Sequence, residues 1–285
     1  MVNLKDIAKE INEALEKRRQ DLRLSFVENK HIYYMMGSDG KITSKYPSVT
    51  KILKKFHAPF DSEGISLRMA GGDREKQKGI LAEWRQLGDI STNMGSRVHY
   101  NLEVDLVGRY GDYKKVREPV YSCEEENIRK SDNMIKAGKD YIDLMHERGA
   151  VLLDTEIVLG DPNLGYVGQT DTGWIMETKD KSTFGLVVTD WKSNQPKNFE
   201  VKPYNGNMFS PLQAHRDYAL THYHVQIPMY GRLLLKMLEG TKFKDMKYLG
   251  GVIVLLKEDG TFTEYKVPPA INNVILNMNL TNYLK

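Results

Sequence analysis

The chain has 285 residues, 40% hydrophobic and 28% charged, enough to bury a substantial core in one large domain or two, with the composition of an ordinary globular protein. A formal net charge of +3 confines any polyanion site to a local basic patch, and no apolar run reaches the roughly 20 residues that span a bilayer. The lone cysteine, Cys123, excludes an internal disulfide, an iron–sulfur cluster and a four-cysteine zinc site.

The opening "MVNLKDIAKEINEALEKRRQ" mixes acids with bases, unlike a transit peptide, and has no signal-peptide pattern. With the cysteine usage, this predicts a reducing, cytoplasmic setting in a bacterial or phage-infected cell. Residues 4 to 19 predict a helix, with Leu4, Ile7, Ile11, Ala14 and Leu15 on one stripe. "HIYYMMGSDGKITSKY" predicts a hairpin turning at Asp39-Gly40. Ser48 can cap a short helix, "VTKILKKF", that stops at Pro59. A charged helical stretch follows from about Arg74 to Leu106, with a break placed near Asp89 to Met94. Another helix is expected from about Cys123 to Arg148.

The pattern changes at Gly149. "AVLLDTEIVLG", "LGYVGQTDTGWIME" and "FGLVVTDWKS" predict three strands, followed by a loop over about 193 to 217. The helix "YHVQIPMYGRLLLKMLEG", the strands "YLGGVIVLLKE" and "TFTEYKV", and a helix from Pro269 complete the chain. No repeat or long linker divides it. The prediction is one domain over residues 1–285, with 1–94 as a helical and hairpin elaboration. Its class is α+β (mixed α/β), a mixed central sheet flanked by helices.

Asp190 and Lys192 are two apart on a strand and project from one face, while Trp191 points into the packing. Alone, they make a strand-end ion pair worth at most about 1 kcal/mol, which needs no function. Asp171 lies in mid-strand, where an unpaired buried carboxylate costs several kcal/mol; it either faces solvent or is compensated. Neighbouring strands could bring Asp171 beside Asp190. Mg²⁺ would then relieve their repulsion, and Lys192 could position a water. In "NMGSRVHYNLE", Gly95, His99 and Glu103 share a helix face. His99 is either a ligand or an ordinary packed histidine. Gln226 and Tyr230, also four apart, are by themselves the polar edge of a core helix.

In chain order these elements read G-x-x-x-H, G-x-x-D, D-W-K and Q-x-x-x-Y, over residues 95 to 230. The ordered set resembles the RecB-type branch of the PD-(D/E)XK nuclease superfamily, and so implies a restriction-endonuclease-like core. The resemblance makes His99, Asp171 and Asp190 metal ligands, with the main-chain carbonyl of Trp191, and Lys192 the catalytic lysine. Gln226 and Tyr230 would hold the lysine or the DNA. Glu156 occupies a strand where relatives often carry a further acid. It is an accessory candidate, as is Glu103, or else an ordinary exposed strand acid. "YPSVTKILKKF" resembles the S-V-T-x-I-L element of phage exonucleases and of the mitochondrial genome maintenance exonuclease. That likeness implies that Ser48, Thr50 and Lys51 meet phosphates; a plain helix cap is the alternative. The segment "METKDKSTFG" is longer than the compact hairpin usual in relatives, so Glu177 or Asp180 could replace one acid. Cluster cysteines and a Walker A sequence are missing.

The resemblance implies a Mg²⁺- or Mn²⁺-dependent deoxyribonuclease, a single-strand-preferring exonuclease serving phage or bacterial DNA replication, recombination or repair. Its partner would be DNA with free ends, with no membrane, and replication or recombination proteins are further candidates. Lys51, Lys54, Lys55, Arg97, Lys197 and Lys202 would supply phosphate affinity, and Tyr204 and Phe209 either stack on bases or belong to a solvated loop. The rival readings are a structure-specific or restriction-type endonuclease, and a non-catalytic nucleic-acid-binding or inhibitor protein on the same fold.

Overall fold

The structure, a computed structural model, describes residues 3–27, 30, 32–110, 116, 119, 121–178, 180, 183–199 and 206–284. Helix α1 (Leu4–Asp21) starts at Asn3, whose side chain accepts the Lys5 N–H, and buries the predicted stripe through Ile11 and Leu15. The predicted hairpin is formed by β2 (Ile32–Met36) and β3 (Ile42–Thr43), turning at Gly40 with φ +75°, a conformation that glycine adopts without a Cβ clash. An unpredicted strand, β1 (Ser25–Val27), pairs with β2. Helix α2 (Val49–Leu53) begins at Ser48, whose Oγ accepts the Lys51 N–H at 3.3 Å, so the expected cap is present.

The short helix α3 (Ser62–Met69) was missed by periodicity. Its N-cap is Asp61, which accepts the Gly64 N–H at 2.8 Å. Helix α4 (Arg74–Tyr110) runs unbroken through Asp89–Met94, contrary to expectation. No proline interrupts it, and interior glycines cost only about 1 kcal/mol each. Burial of Val98, Leu102 and Leu106 against α5 (Glu125–Glu147) offsets that cost.

The three strands predicted after Gly149 are β4 (Val151–Asp161), β5 (Tyr166–Glu177) and β6 (Phe184–Lys192). Helix α6 (Ala219–Leu238) then leads to β7 (Lys247–Leu256), β8 (Phe262–Lys266) and α7 (Pro269–Asn277). The sheet has the order β4-β5-β6-β7-β8 and is mixed: β6 and β7 are parallel and the other neighbours antiparallel. Parallel pairing of β6 with β7 requires a long crossover, and α6 supplies it.

Helices cover both faces. Leu186 and Val188 of β6 join a core with α1, α2, α6 and α7, whereas Val187 and Trp191 join one with α4 and α5. The chain is therefore α+β, with a five-stranded mixed sheet between helical layers. The first half of α4 leaves this core. No residue from Lys78 to Asn93 is buried, and α3 packs back along its start, where Gln77 Nε2 donates to Ser66 Oγ at 3.2 Å. This arm is about 30 Å long at 1.5 Å per residue. Among the described residues, no helix is long and apolar enough to cross a membrane.

Candidate metal centre

The β4–β5 turn aligns the acids. Asp161 Oδ1 accepts the N–H groups of Asn163 and Leu164, both at 2.9 Å, and places Asp161 opposite Tyr166. The same register pairs Thr155 with Thr172 and Ile157 with Thr170, which brackets Glu156 opposite Asp171. On the other side Thr172 pairs with Thr189, so Asp171 neighbours Asp190. Three carboxylates thus form a row across β4, β5 and β6.

At this row the sheet breaks its alternation. Tyr166 and Gly168 face α6: the Tyr166 hydroxyl donates to the Met229 carbonyl at 3.1 Å, and a Cβ at Gly168 would stand 2.6 Å from the Tyr230 ring. Trp174 has the same parity yet lies in the α4/α5 core. Glu156, in the partner strand at that point, has φ +47°. Such irregularities re-aim side chains that a regular pleat would bury.

His99 reaches the row from α4. Its Nδ1 is 3.5 Å from Asp171 Oδ1 and 3.9 Å from Glu156 Oε1. One potential ligand atom from each of His99, Glu156 and Asp171 lies within 4.8 Å of the other two. Asp171 Oδ2 accepts the Trp191 N–H at 2.6 Å. Asp190, 2% exposed, is ion-paired with Lys192, whose Nζ lies 4.7 Å from the Tyr223 ring centroid. Gln226 Nε2 donates to the Tyr230 hydroxyl at 2.6 Å.

The electrostatics follow from crowding charges away from water. Burial, and then Asp171 opposite, push Glu156 up to about 8. Burial and Asp171 also push Asp190 up to about 6, against the pull of Lys192. Burial disfavours a charged His99, but Asp171 and Glu156 outweigh it and raise His99 to about 9. Lys192 is likewise held above its usual range by Asp190 and Asp171 despite burial. Asp171 stays below the usual carboxylate range, because His99, Lys192 and the Trp191 N–H outweigh its burial. Protons on His99 and Glu156 therefore balance the metal-free row. A dication would do the same, and two carboxylates with one imidazole are a donor set that suits Mg²⁺ or Mn²⁺.

Two cavities with shared walls adjoin the row. One, about 950 Å³, is lined by Glu16, Arg19 and Arg23 and by Gly95, His99 and Glu103. The other, about 320 Å³, is lined by Ser48, Thr50, Asp171, Asp190, Lys192, Gln226 and Tyr230. Phe26, Glu156 and Gln169 wall both.

His99, Glu156, Asp171, Asp190, Lys192, Gln226, Tyr230, Ser48 and Thr50 thus converge, and Glu103 borders them. Trp191 touches Asp171 through its amide, while its ring packs edge-on to Tyr141 at 5.5 Å, in the expected interior direction. Glu177 ends β5, six residues beyond Asp171, and Asp180 accepts from Thr178 Oγ1 in the following turn. The long gap is therefore strand extension, and neither acid reaches the row. Lys51, Lys54, Lys55 and Lys197 are exposed, and Phe209 is half-exposed. Arg97 is instead bound to Asp132 and Ser131 of α5, both at 2.6 Å. Lys202 and Tyr204 lie outside the described residues. Sequence reading missed Gln169, whose Nε2 donates to Glu156 Oε2 at 2.5 Å; it lies inside the G-x-x-D element, and its signal was that position. No protein-family model matches this chain, and no curated protein matches it.

Proposed function

We propose that the chain is a Mg²⁺- or Mn²⁺-dependent deoxyribonuclease on a restriction-endonuclease-like core, an exonuclease that prefers single strands. The observation carrying this reading is the convergence of His99, Glu156 and Asp171 beside a charged Lys192. A protein that only binds DNA gains nothing from a row of carboxylates facing phosphate.

Bound by these residues, the ion would polarise a phosphoryl oxygen and acidify a water. His99, Glu156 and Asp171 supply its protein ligands, and Asp190 and the Trp191 carbonyl are the further ligands that the family resemblance suggests. Lys192, kept protonated by Asp190 and Asp171, can hold a phosphate oxygen or orient the attacking water, where a fixed charge in a dry site acts strongly. Tyr230, held well above its usual pKa by burial and then by Asp190, remains a neutral donor beside Gln226. Ser48 and Thr50, joined by a 2.9 Å hydroxyl contact, leave one O–H as a further donor to the backbone of a bound strand.

The α3–α4 arm supports the preference for ends. It leaves the core at Gly95, on the rim of the larger cavity and one turn before His99. On this reading a single strand would enter the larger cavity by its end, past the base of the arm at Gly95.

The test uses end-labelled single- and double-stranded DNA with Mg²⁺, Mn²⁺ or EDTA. The expected outcome is progressive shortening of single strands that requires metal. Undiminished cleavage in EDTA would remove the metal mechanism, and binding without cleavage in Mg²⁺ would favour a nucleic-acid clamp.

A further inference from the structure

A second group of ligand-type side chains lies where the loop after α2 meets the start of α6. Asp217 is 8% exposed, and its Oδ1 is 2.6 Å from Nε2 of His222, in the first turn of α6. Its other oxygen, Oδ2, is buried with no hydrogen-bond partner among the described residues. The His57 ring stacks on that of His222, with centroids 4.0 Å apart and planes 23° apart. One ligand-type atom from each of His57, Asp217 and His222 lies within 4.8 Å of the other two.

The tautomer of His57 suits ligation. Its Nδ1 is 2.9 Å from the Ala58 carbonyl. A carbonyl can only accept, so Nδ1 donates to it, and Nε2 is the nitrogen that the neutral ring would offer to a metal. A backbone acceptor on the far nitrogen is the usual support of a metal-binding imidazole. A simple His222–Asp217 hydrogen bond accounts for Oδ1 but leaves Oδ2 buried with no partner among the described residues, which is costly for a carboxylate. A cation among the three groups compensates both oxygens.

We propose that His57, Asp217 and His222 form a second divalent-metal site, of the Zn²⁺ class, which pins the loop after α2 to the start of α6. Two imidazoles and one carboxylate suit Zn²⁺ far better than Mg²⁺, and three protein ligands leave a position for water. The ion takes the place of the proton between His222 Nε2 and Asp217 Oδ1 and gives Oδ2 a partner. The two segments it joins also frame the cleft. His222, Gln226 and Tyr230 follow at four-residue intervals on one stripe of α6, and Ser48 and Thr50 open α2. The loop is already tied at this point, since the Phe209 N–H donates to the Phe56 carbonyl at 2.6 Å. This second site stands independently of whether the first centre cleaves DNA.

The experiment uses the full chain carrying His99→Ala and Asp171→Asn, which disables the first centre. The protein is loaded with Zn²⁺, dialysed and assayed for bound metal, and a parallel sample is titrated with Co²⁺ and followed by visible absorption. The expected result is about one Zn²⁺ per chain, a Co²⁺ ligand-field band, and a melting temperature raised by Zn²⁺ but not by Mg²⁺. Adding Asp217→Asn, His57→Ala or His222→Ala should abolish all three signals. Asp217→Asn preserves side-chain shape, and circular dichroism checks that each variant is folded. A folded parent that retains no Zn²⁺ and gives no Co²⁺ band would overturn the site. Retention of Zn²⁺ through all three added substitutions would also overturn it, by locating the ion elsewhere.

Discussion

Glu156 stands opposite Asp171 across the β4–β5 pair, at φ +47°, and both carboxylates approach the same His99 nitrogen. A glutamate in the left-handed region costs about 1–3 kcal/mol, a cost sustained where surrounding structure fixes the side chain for use. Here the Gln169 amide fixes it. Glu156→Gln and Asp171→Asn are therefore each expected to lower Mn²⁺ affinity and DNA cleavage by about 100-fold or more. Glu177→Gln, at the far end of β5, should leave both unchanged. Calorimetric metal titration and a labelled-DNA assay measure these effects, and full activity in Glu156→Gln would remove Glu156 from the centre.

Lys192 compensates two buried carboxylates, so its loss should be felt without substrate. Lys192→Met is expected to abolish cleavage and to destabilise the metal-free protein by about 3–5 kcal/mol, the usual result of leaving buried charge unpaired. Asp190→Asn should also abolish cleavage but with a smaller stability loss, because Asp171 still faces Lys192. Urea unfolding in EDTA separates the two. Equal stability of Lys192→Met and the parent would mean that the carboxylates take up protons freely.

The pH dependence of the metal-free protein has a definite sign. His99 is raised from 6.5 to about 9 and Glu156 from 4.5 to about 8, so both bind protons more tightly folded than unfolded. Their stabilisation is complete below the unfolded pKa and is lost as pH rises through the folded one. His146, His222 and His224 are lowered from 6.5, chiefly by burial, so their contribution is gained below this window. The melting temperature in EDTA is expected to fall between pH 6.5 and 9, and the gain on adding Mn²⁺ to grow over the same range. Glu156→Gln should flatten the decline. A metal-free protein that melts higher at pH 9 than at pH 6.5 would contradict this account.

Gly168 is a direct probe of the α6 contact. A Cβ there would stand 2.6 Å from Tyr230 Cε1 and 3.0 Å from Val49 Cγ2. Gly168→Ala should cost about 1–3 kcal/mol by overpacking and displace Tyr230 from the cleft, with a lower cleavage rate in folded protein. Crystal structures of the variant would show the shift, whereas an unmoved ring with full activity would detach Tyr230 from the reaction.

On the proposed exonuclease reading, ends and salt report how DNA would enter. Circular single-stranded DNA is expected to resist cleavage under conditions that consume its linearised form. The logarithm of affinity should fall with the logarithm of salt by about 0.7 per phosphate neutralised. Equal rates on circle and line would indicate an open endonuclease cleft.

Most of the elements and the order of the acids were legible in the linear chain because they depend on local chemistry, whereas the short β1 and α3 were not. The apolar stripe of α1, the Ser48 cap, and the i,i+2 relation of Asp190 to Lys192 require only neighbours in sequence, and the structure contains all three. The resemblance grouped His99 with Asp171 and Asp190 and left Glu156 as an accessory; that Glu156 rather than Asp190, which pairs with Lys192, completes the group was not legible. It depends on strand register, set by Asp161 in the β4–β5 turn, and on a local break in pleat alternation that a period of two cannot encode. Arg97 shows the same limit: it was expected among the bases that meet phosphate, but α5 supplies it with Asp132 and Ser131. His57 and His222 are 165 residues apart, and only the packing of the α2 loop on α6 brings their rings together. Local propensity chooses the elements. Register and packing, which sum weak interactions between distant residues, choose which functional groups meet.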